Sequence, residues 1–499
     1  MSETLDRGAA SAPIQTHEII IAGAGPTGLA LAAELALARV DVAIVEPRAA
    51  QVVEGLRAGG LHARTIEILD QRGVAERFIA KGKRAQIAGF ARVALDISDL
   101  PTRHNYGLVL GQEAFEQEML AWVRELGVVV YRAVAVQDFV DRGDEVEVAL
   151  SDGRRCAARY LVGCDGGRSF VRKRAGVDFV GTDPQTSFAL AEVEFGREPR
   201  WGLGYGPFGV RAIGPMGEPR RARVVLTERY EGQPRALSLD ELRALLIDAY
   251  GEDFGLVRAS WLSRFTDATR QATTYRRGRV LLAGDAAHAH SPVGGKGLDT
   301  GVQDAVNLGW KLAAVVRGEV DSALLDSYEA ERHPAAADVL RSTLAQVALD
   351  RDDPRCAAMR EAMVELLRMD EPRRRYGAKM SGLDVRYELG GRHPLVGRRV
   401  PDLDLRANDQ VFRVYTWLRD ARGVLLELAD APTLNIAPWT GRIHHVRARY
   451  DGAWALPGVG SVEAPSAVLV RPDGHVAWVD DGAGEGLTDA LVRWFGAAR

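Results

Sequence analysis

Residues 17–48 read HEIIIAGAGPTGLALAAELALARVDVAIVEPR, and the spacing inside this stretch decides the fold of the chain. A β-branched apolar run, Ile19 to Ile21, predicts a short buried strand. Gly23, Gly25 and Gly28 come next, then helix formers from Leu29 to Ala38. A second apolar run, Val42 to Val45, closes on Glu46, 18 residues past Gly28. Strand, glycine turn, helix, strand and acid together form a dinucleotide-binding fingerprint. Gly23 permits the tight turn, Gly25 lets backbone approach a pyrophosphate, and Gly28 lets helix pack on strand. Thr27 opens the helix, whose free N–H groups and dipole suit phosphate. Glu46 suits a ribose diol and would repel a 2′-phosphate, so the pocket fits FAD or NAD and not NADP.

Two later stretches repeat the design of strand, turn and carboxylate. YLVGCDGGRSFVR (160–172) is an apolar strand ending in Asp165-Gly166, and RVLLAGDAAH (279–288) ends in Gly284-Asp285. An acid at the end of a buried strand lies at the usual ligand crevice of an open α/β sheet. Each Asp is also a plausible turn or N-cap residue when taken alone.

HAHSPVGGKGLDTGVQDAVNLGWKL (288–312) sets a Pro, three Gly and one Lys just before a helix. It reads as a docking surface for something flat and electron-poor. Lysine is rare here, six residues against 58 arginines, so Lys296 is hard to dismiss as surface filler.

On these motifs in order, GAGPTG with Glu46, CDGGRS and AGDAAH, the chain resembles the class A flavoprotein aromatic monooxygenases, whose prototype is p-hydroxybenzoate hydroxylase. The likeness spans nearly the whole chain. It looks closest to the hydroxylases that tailor aromatic polyketides of the anthracycline, angucycline and tetracycline kind, in antibiotic biosynthesis, with rifampicin monooxygenase a further relative. GLHARTIEILDQRGV (60–74), YLVGCDGGRSFVRK (160–173), SYEAERHP (327–334) and HPLVGRRVPDLDL (393–405) carry this closer match. The resemblance implies that Asp285 bonds the ribityl chain of FAD, Glu46 its adenosine ribose, and Gln112 the ribityl region. Asp165 would serve FAD and NADPH binding, and Arg57 would lie near the flavin and help the nicotinamide donor. Pro292, Gly295, Gly297, Leu298 and Asp299 would border the flavin ring, with a helix beginning at about Leu298. The N–H groups of that helix start would stabilise negative charge on the reduced ring.

The chain departs from the usual Gly-Gly-Gln-Gly-Met/Leu-Asn by having Gly294-Gly295-Lys296-Gly297-Leu298-Asp299. Lys296 would add a cation near the ring. Asp299 would oppose the flavin's charge, cap its own helix, or pair with Lys296 three residues back. Arg57, Pro292, Lys296 and Asp299 are thus the candidates closest to the chemistry.

The rest of the sequence bounds this reading. A length of 499 residues implies two or three domains. Net charge is −4 with both signs interspersed, giving no case for nucleic acid or an anionic membrane. The first residues lack a cationic start and apolar core, and no apolar run spans a bilayer. Three cysteines without a C-x-x-C pair fit a reducing, cytoplasmic setting. No metal site is evident: His288 and His290, like His444 and His445, have no visible third ligand.

The expected class is α/β: a discontinuous Rossmann-like FAD-binding domain, residues 17–178 and 268–390, after a disordered tail at 1–16. Residues 179–267 would form a β-sheet substrate domain with one helix, with Phe188, Trp201, Tyr205, Phe208 and Trp261 as pocket candidates. Residues 395–499 would form a thioredoxin-like C-terminal domain without cysteines, containing a hairpin at RPDGH (471–475). The expected activity is FAD-dependent, NADPH- or NADH-consuming hydroxylation of a polycyclic phenol by molecular oxygen through a flavin C4a-hydroperoxide, in a monomer or homodimer. Alternatives are Baeyer–Villiger oxidation or epoxidation on the same scaffold, or a redox-silent FAD-holding protein, suggested by Lys296 and Asp299.

Overall fold

A computed structural model describes residues 15–53, 55, 58–230, 232, 236–407, 410–428, 434–480 and 484–498. The fingerprint forms as its spacing requires. Strand Gln15–Ala22 lies at the centre of an eight-stranded sheet, parallel to Val42–Glu46 on one side and Arg155–Gly163 on the other. Val129–Arg132 and Val280–Leu282 extend this parallel core outward. Strands buried on both faces read as continuous apolar runs, which is why Val42–Glu46 shows no alternation. Residues Gln15 and Thr16 pair with Cys156 and Ala157, so order begins inside the stretch expected to be a tail.

Helix Pro26–Leu37 starts with Gly25 as N-cap and Pro26 in its first turn, where a missing N–H costs nothing. It is apolar nearly all round and packs on Gly297–Val316, a helix buried along almost its whole length. Two glycines let the helices approach. A Cβ on Gly301 would come within 2.2 Å of Thr27 Oγ1, and one on Gly309 within 2.5 Å of Glu34 Cβ.

The middle of the chain forms a five-stranded antiparallel sheet in the order Gly202–Gly206, Gly209–Pro215, Arg221–Arg229, Thr186–Phe195, Leu256–Thr266. Helix Leu239–Tyr250 covers one face, opened by a Ser238/Glu241 capping box and stopped by left-handed Gly251. Ala189, Ala191, Val193, Val224 and Leu226 meet Leu242 and Leu246 there. Strand Phe179–Thr182 pairs instead with Thr269–Ala272, which pairs with His288–Ala289, so this short sheet ties the middle unit to the AGDAAH segment.

The C-terminal sheet runs Ile443–Arg447, Gly423–Glu427, Ala467–Val470, Val476–Asp480, the first pair parallel and the others antiparallel. The alternation along Gly423–Glu427 splits two cores. Val424 and Leu426 face a small local cluster, while Leu425 joins the main core of the chain. Among the described residues no helix is long and apolar enough to cross a membrane.

Candidate functional site

At the nucleotide end, Gly23 has φ +104°, and an added Cβ would meet the Cys164 carbonyl oxygen at 2.5 Å. A Cβ on Gly28 would sit 2.0 Å from the Gly23 oxygen. Gly25 differs: a Cβ there meets nothing within 4 Å, leaving open space at a helix N-terminus. The Thr27 side chain packs against Gly284 and Gly301, leaving only its backbone at the helix start.

Glu46 is buried and already engaged. It accepts from Ala24 N at 2.7 Å, Arg48 N at 2.8 Å and Arg48 Nε at 2.9 Å. Burial pushes this carboxyl up, but the Arg48 and Ala24 hydrogen bonds outweigh it and hold it below the ordinary value. The acid therefore ties the glycine turn to Arg48 as well as marking the strand end. The same arginine reaches Glu116, which also accepts from Gln51 and, at 2.8 Å, from Gln112 Nε2. Gln112 Oε1 accepts from Ala58 N. Arg57, the neighbour of Ala58, lies outside the described residues.

The two later acids diverge. Asp165 accepts from Ser169 Oγ at 2.5 Å and Val171 N at 3.0 Å, closing the turn into helix Phe170–Arg174. Arg172 of that helix donates to the carbonyls of Ala286 and Gly167, both at 2.9 Å, and so clamps the CDGGRS turn to AGDAAH. Asp285 is exposed, with no hydrogen-bond partner for its side chain among the described residues, and a Cβ on Gly297 would stand 3.9 Å from its Oδ1.

Between Asp285 and the long helix, Gly295 N donates to Pro292 O at 2.9 Å across a turn whose third residue, Gly294, is left-handed at φ +80°. Pro292 and Gly295 are exposed; Ser291, Lys296, Leu298 and Asp299 are buried. The helix begins at Gly297, one residue before the expected start. Its first-turn N–H groups therefore open beside the exposed row Asp285, Pro292 and Gly295.

Both unusual residues turn inward. Lys296 Nζ donates to Lys379 O at 2.9 Å and Met380 O at 2.5 Å, the last carbonyls of helix Asp370–Met380, where a cation complements the dipole. Burial lowers its ammonium to about 8, with Asp299 and Asp384 pulling the other way. Asp299 Oδ1 accepts from His62 N at 2.8 Å. It neither caps its own helix nor ion-pairs with Lys296. At one helical turn's spacing the two side chains find different partners because two other segments, His62 and residues 379–380, supply them. His62 Nε2 bonds Gly294 O at 2.9 Å, and burial pushes that imidazole down.

This turn leaves polar atoms unanswered. His290 Nε2, Ser291 Oγ and Asp299 Oδ2 are buried without partners among the described residues. Buried polar groups in native proteins are nearly always hydrogen-bonded, so three orphans in ten residues point to a ligand. Together with the open side of Gly25 and the free Asp285, they fit FAD.

The face of the five-stranded sheet away from its helix carries several of the aromatic pocket candidates. Phe188 stacks on Phe265 at 4.9 Å, and the pairing register puts Trp261 and Tyr205 on the same face. Trp261 lies against Gly55. Trp201 and Phe208 do not join: both are exposed, and Trp201 bonds Glu198. Phe265 carries no distinguishing mark in the sequence, because alternation alone does not tell which face of a sheet meets a neighbour.

Behind the helix lies a second polar region. His288 Nε2 bonds Asp304 at 2.6 Å, and Arg332 bonds the same carboxylate at 2.7 Å. Further along, Arg471 grips Glu331 through two bonds of 2.7 Å and also bonds Asp473. Lys311 bonds Asn307 at 2.8 Å and pairs with Glu331 at 3.0 Å. Burial raises Glu331, but Arg471 and Lys311 override it and hold the acid at about 2. The hairpin turn of RPDGH is thus a buried clasp rather than a surface tip.

Comparison with known proteins agrees with this geometry. The FAD binding domain family matches residues 16–343, and the C-terminal domain of aromatic-ring hydroxylases matches residues 393–498. A 12-dehydrotetracycline 5-monooxygenase/anhydrotetracycline 6-monooxygenase of Streptomyces rimosus is 45% identical, over 96% of this chain and 99% of its own. A rifampicin monooxygenase of Streptomyces venezuelae is 40% identical over 96% and 99%. The solved structure of OxyS anhydrotetracycline hydroxylase from Streptomyces rimosus superposes with a TM-score of 0.89 at 42% identity, covering 97% of this chain and all of that one.

Proposed function

We propose, from the premise that this chain belongs to the FAD-binding aromatic-ring monooxygenase family, that it hydroxylates a polycyclic aromatic of the polyketide type. FAD would lie along the crevice from Gly25 to the row Asp285, Pro292 and Gly295, with Asp285 on its ribityl hydroxyls and Gln112 nearby. Once bound and reduced by NADPH or NADH, FAD supplies the oxygen-activating chemistry. The chain's part is to hold, orient and dry the site. Helix-start N–H groups beside Gly297 and Leu298 take up negative charge at the ring edge, and buried Asp299 is kept from it by its bond to His62. Phe188, Trp261 and Phe265 exclude water above it and offer flat apolar surface to fused rings. Arg57 is assigned the nicotinamide donor on the strength of the sequence motif. A parallel sheet centred on the fingerprint supports a Rossmann-like reading of 17–178 and 268–390, a separate sheet supports a substrate domain in 179–267, and the mixed C-terminal sheet supports a thioredoxin-like reading of 395–499.

The observation that carries this reading is the cluster of orphaned polar atoms beside the exposed row Asp285, Pro292 and Gly295. Purified protein incubated with FAD, NADPH and a hydroxyanthraquinone should consume NADPH and yield a product one oxygen atom heavier. An intact ring with a new hydroxyl is the expected product; a lactone or epoxide would redirect the reading to Baeyer–Villiger or epoxidase chemistry. A flavin that NADPH never bleaches would support the redox-silent alternative. Lys296, directed into the Asp370–Met380 helix end, does not argue for it.

A further inference from the structure

The exposed acid assigned above to the ribityl hydroxyls, Asp285, has the backbone on both sides of it tied to one buried carboxylate. Gly284 N donates to Asp304 Oδ2 at 3.0 Å, and His288 Nε2 reaches the same oxygen at 2.6 Å. An ionised carboxylate only accepts, so the imidazole presents an N–H there. Arg332 Nε donates to the other oxygen, Oδ1, at 2.7 Å. His288, Asp304 and Arg332 are all buried.

Gly284 and His288 bracket the short turn Gly284–Ala286, and Asp285 lies between the two tethered positions. Gly284 is left-handed at φ +62° and packs on Thr27, whose Oγ1 would stand 2.4 Å from an added Cβ. The turn is therefore held by the first turn of helix Pro26–Leu37 as well as by Asp304. Asp304 itself belongs to helix Gly297–Val316, and its arginine partner reaches back to the start of that helix. Arg332 Nη2 donates to Thr300 O at 3.3 Å. One carboxylate thus joins the turn that carries Asp285 to the helix whose first N–H groups open beside it.

We propose that Asp304 is a positioning residue for FAD, fixing the backbone at Gly284 and His288 so that Asp285 stands ready for the ribityl hydroxyls before the cofactor arrives. The proposal rests on the FAD-binding reading of this site and deepens it. Asp304 is 0% exposed, so it acts through Asp285 and not on the cofactor itself. An acid already fixed in place binds without the cost of ordering its own loop. Asparagine is no substitute for Asp304. An amide accepts at one atom and donates at the other, so either Gly284 and His288 or Arg332 would face an N–H.

A double-mutant cycle in FAD affinity, read by flavin fluorescence quenching, tests this. Asp285→Ala alone should weaken binding about tenfold and Asp304→Asn alone about fivefold. Added to Asp285→Ala, Asp304→Asn should cost less than about twofold more, because the acid that it positions is gone; independent residues would multiply to about fiftyfold. At saturating FAD the visible circular dichroism of the flavin, which reports a fixed ring orientation, should be weaker in Asp304→Asn than in the wild type. Arg471→Met, which opens a different buried network, should keep both the wild-type affinity and the wild-type signal. Multiplying effects, or an Asp304→Asn protein that binds FAD like the wild type, would overturn the proposal. Should Asp304→Asn fail to fold, hydrogen exchange at the Gly284 amide of the cofactor-free wild type decides. Protection is expected there, and free exchange means that Asp304 does not hold the turn. A wild type that takes up no FAD refutes the FAD reading and the proposal with it, whereas FAD binding with multiplying effects refutes the positioning role alone.

Discussion

Helix Gly297–Val316 has a different kind of polar neighbourhood at each end. Toward its C-terminal half, Glu331, Arg471, Asp473, Lys311 and Asn307 are buried and bonded to one another, two anions against two cations. At its start, Ser291 and Asp299 are equally buried and His290 partly so, and each leaves a buried atom without a partner among the described residues. The first set closes on itself and fastens the C-terminal sheet to the rest of the chain, since Glu331 and Arg471 are 140 residues apart. The second set is complete only when something else arrives. A saturated buried network is a permanent joint, and an unsaturated one is a reception site.

Breaking the joint should have the largest effect. Arg471→Met removes the guanidinium that Glu331 and Asp473 share, and removing one partner of a buried pair typically costs about 3–5 kcal/mol. Denaturant unfolding should show that loss, and FAD affinity of the surviving folded fraction should match the wild type. Equal stability would mean that the network is incidental.

The pH dependence of stability separates the regions next. Lys296 is held at about 8, below an unfolded lysine near 10.4, so above pH 8 the unfolded chain binds a proton that the folded chain has lost. Stability therefore gains from this group as pH rises from about 8 to about 10.4, by at most roughly 3 kcal/mol. Lys311, also at about 8, contributes in the same direction. Lys296→Gln should lower the slope of stability against pH between about 8 and 10.4 in thermal melts. An unchanged slope would contradict the buried ammonium.

The reception site should respond in affinity instead. Asp285→Ala should weaken FAD binding roughly tenfold, about 1.4 kcal/mol, with an unchanged melting temperature of the cofactor-free protein. Flavin fluorescence quenching measures the first and calorimetry the second. The smallest effect should be the most diagnostic. Ser291→Ala removes a buried hydroxyl that has no partner among the described residues, so the cofactor-free protein should gain up to about 1 kcal/mol while FAD binds more weakly. A loss of stability would show that Ser291 has a partner within the chain.

How much of this is legible in the sequence depends on distance along the chain. The glycine fingerprint, its two strands, the separate antiparallel sheet and the exposed Asp285–Gly295 row are all readable there. Each rests on backbone constraints or hydrophobic periodicity within a window of some thirty residues. SYEAERHP, the RPDGH turn and Lys311 each stand out separately, but nothing in the sequence joins them.

The sequence by itself determined the glycine turn with its flanking strands and picked out the stretch proposed here to face the flat head of FAD. Tertiary structure decided which partners the buried side chains of that stretch take. Asp299 was chosen by a backbone N–H 237 residues away and Lys296 by carbonyls more than 80 residues away. Glycine spacing acts through the local backbone and is written in neighbouring letters. The partner of a buried charge is whichever distant group packing delivers to within about three ångströms, and only the folded chain specifies that.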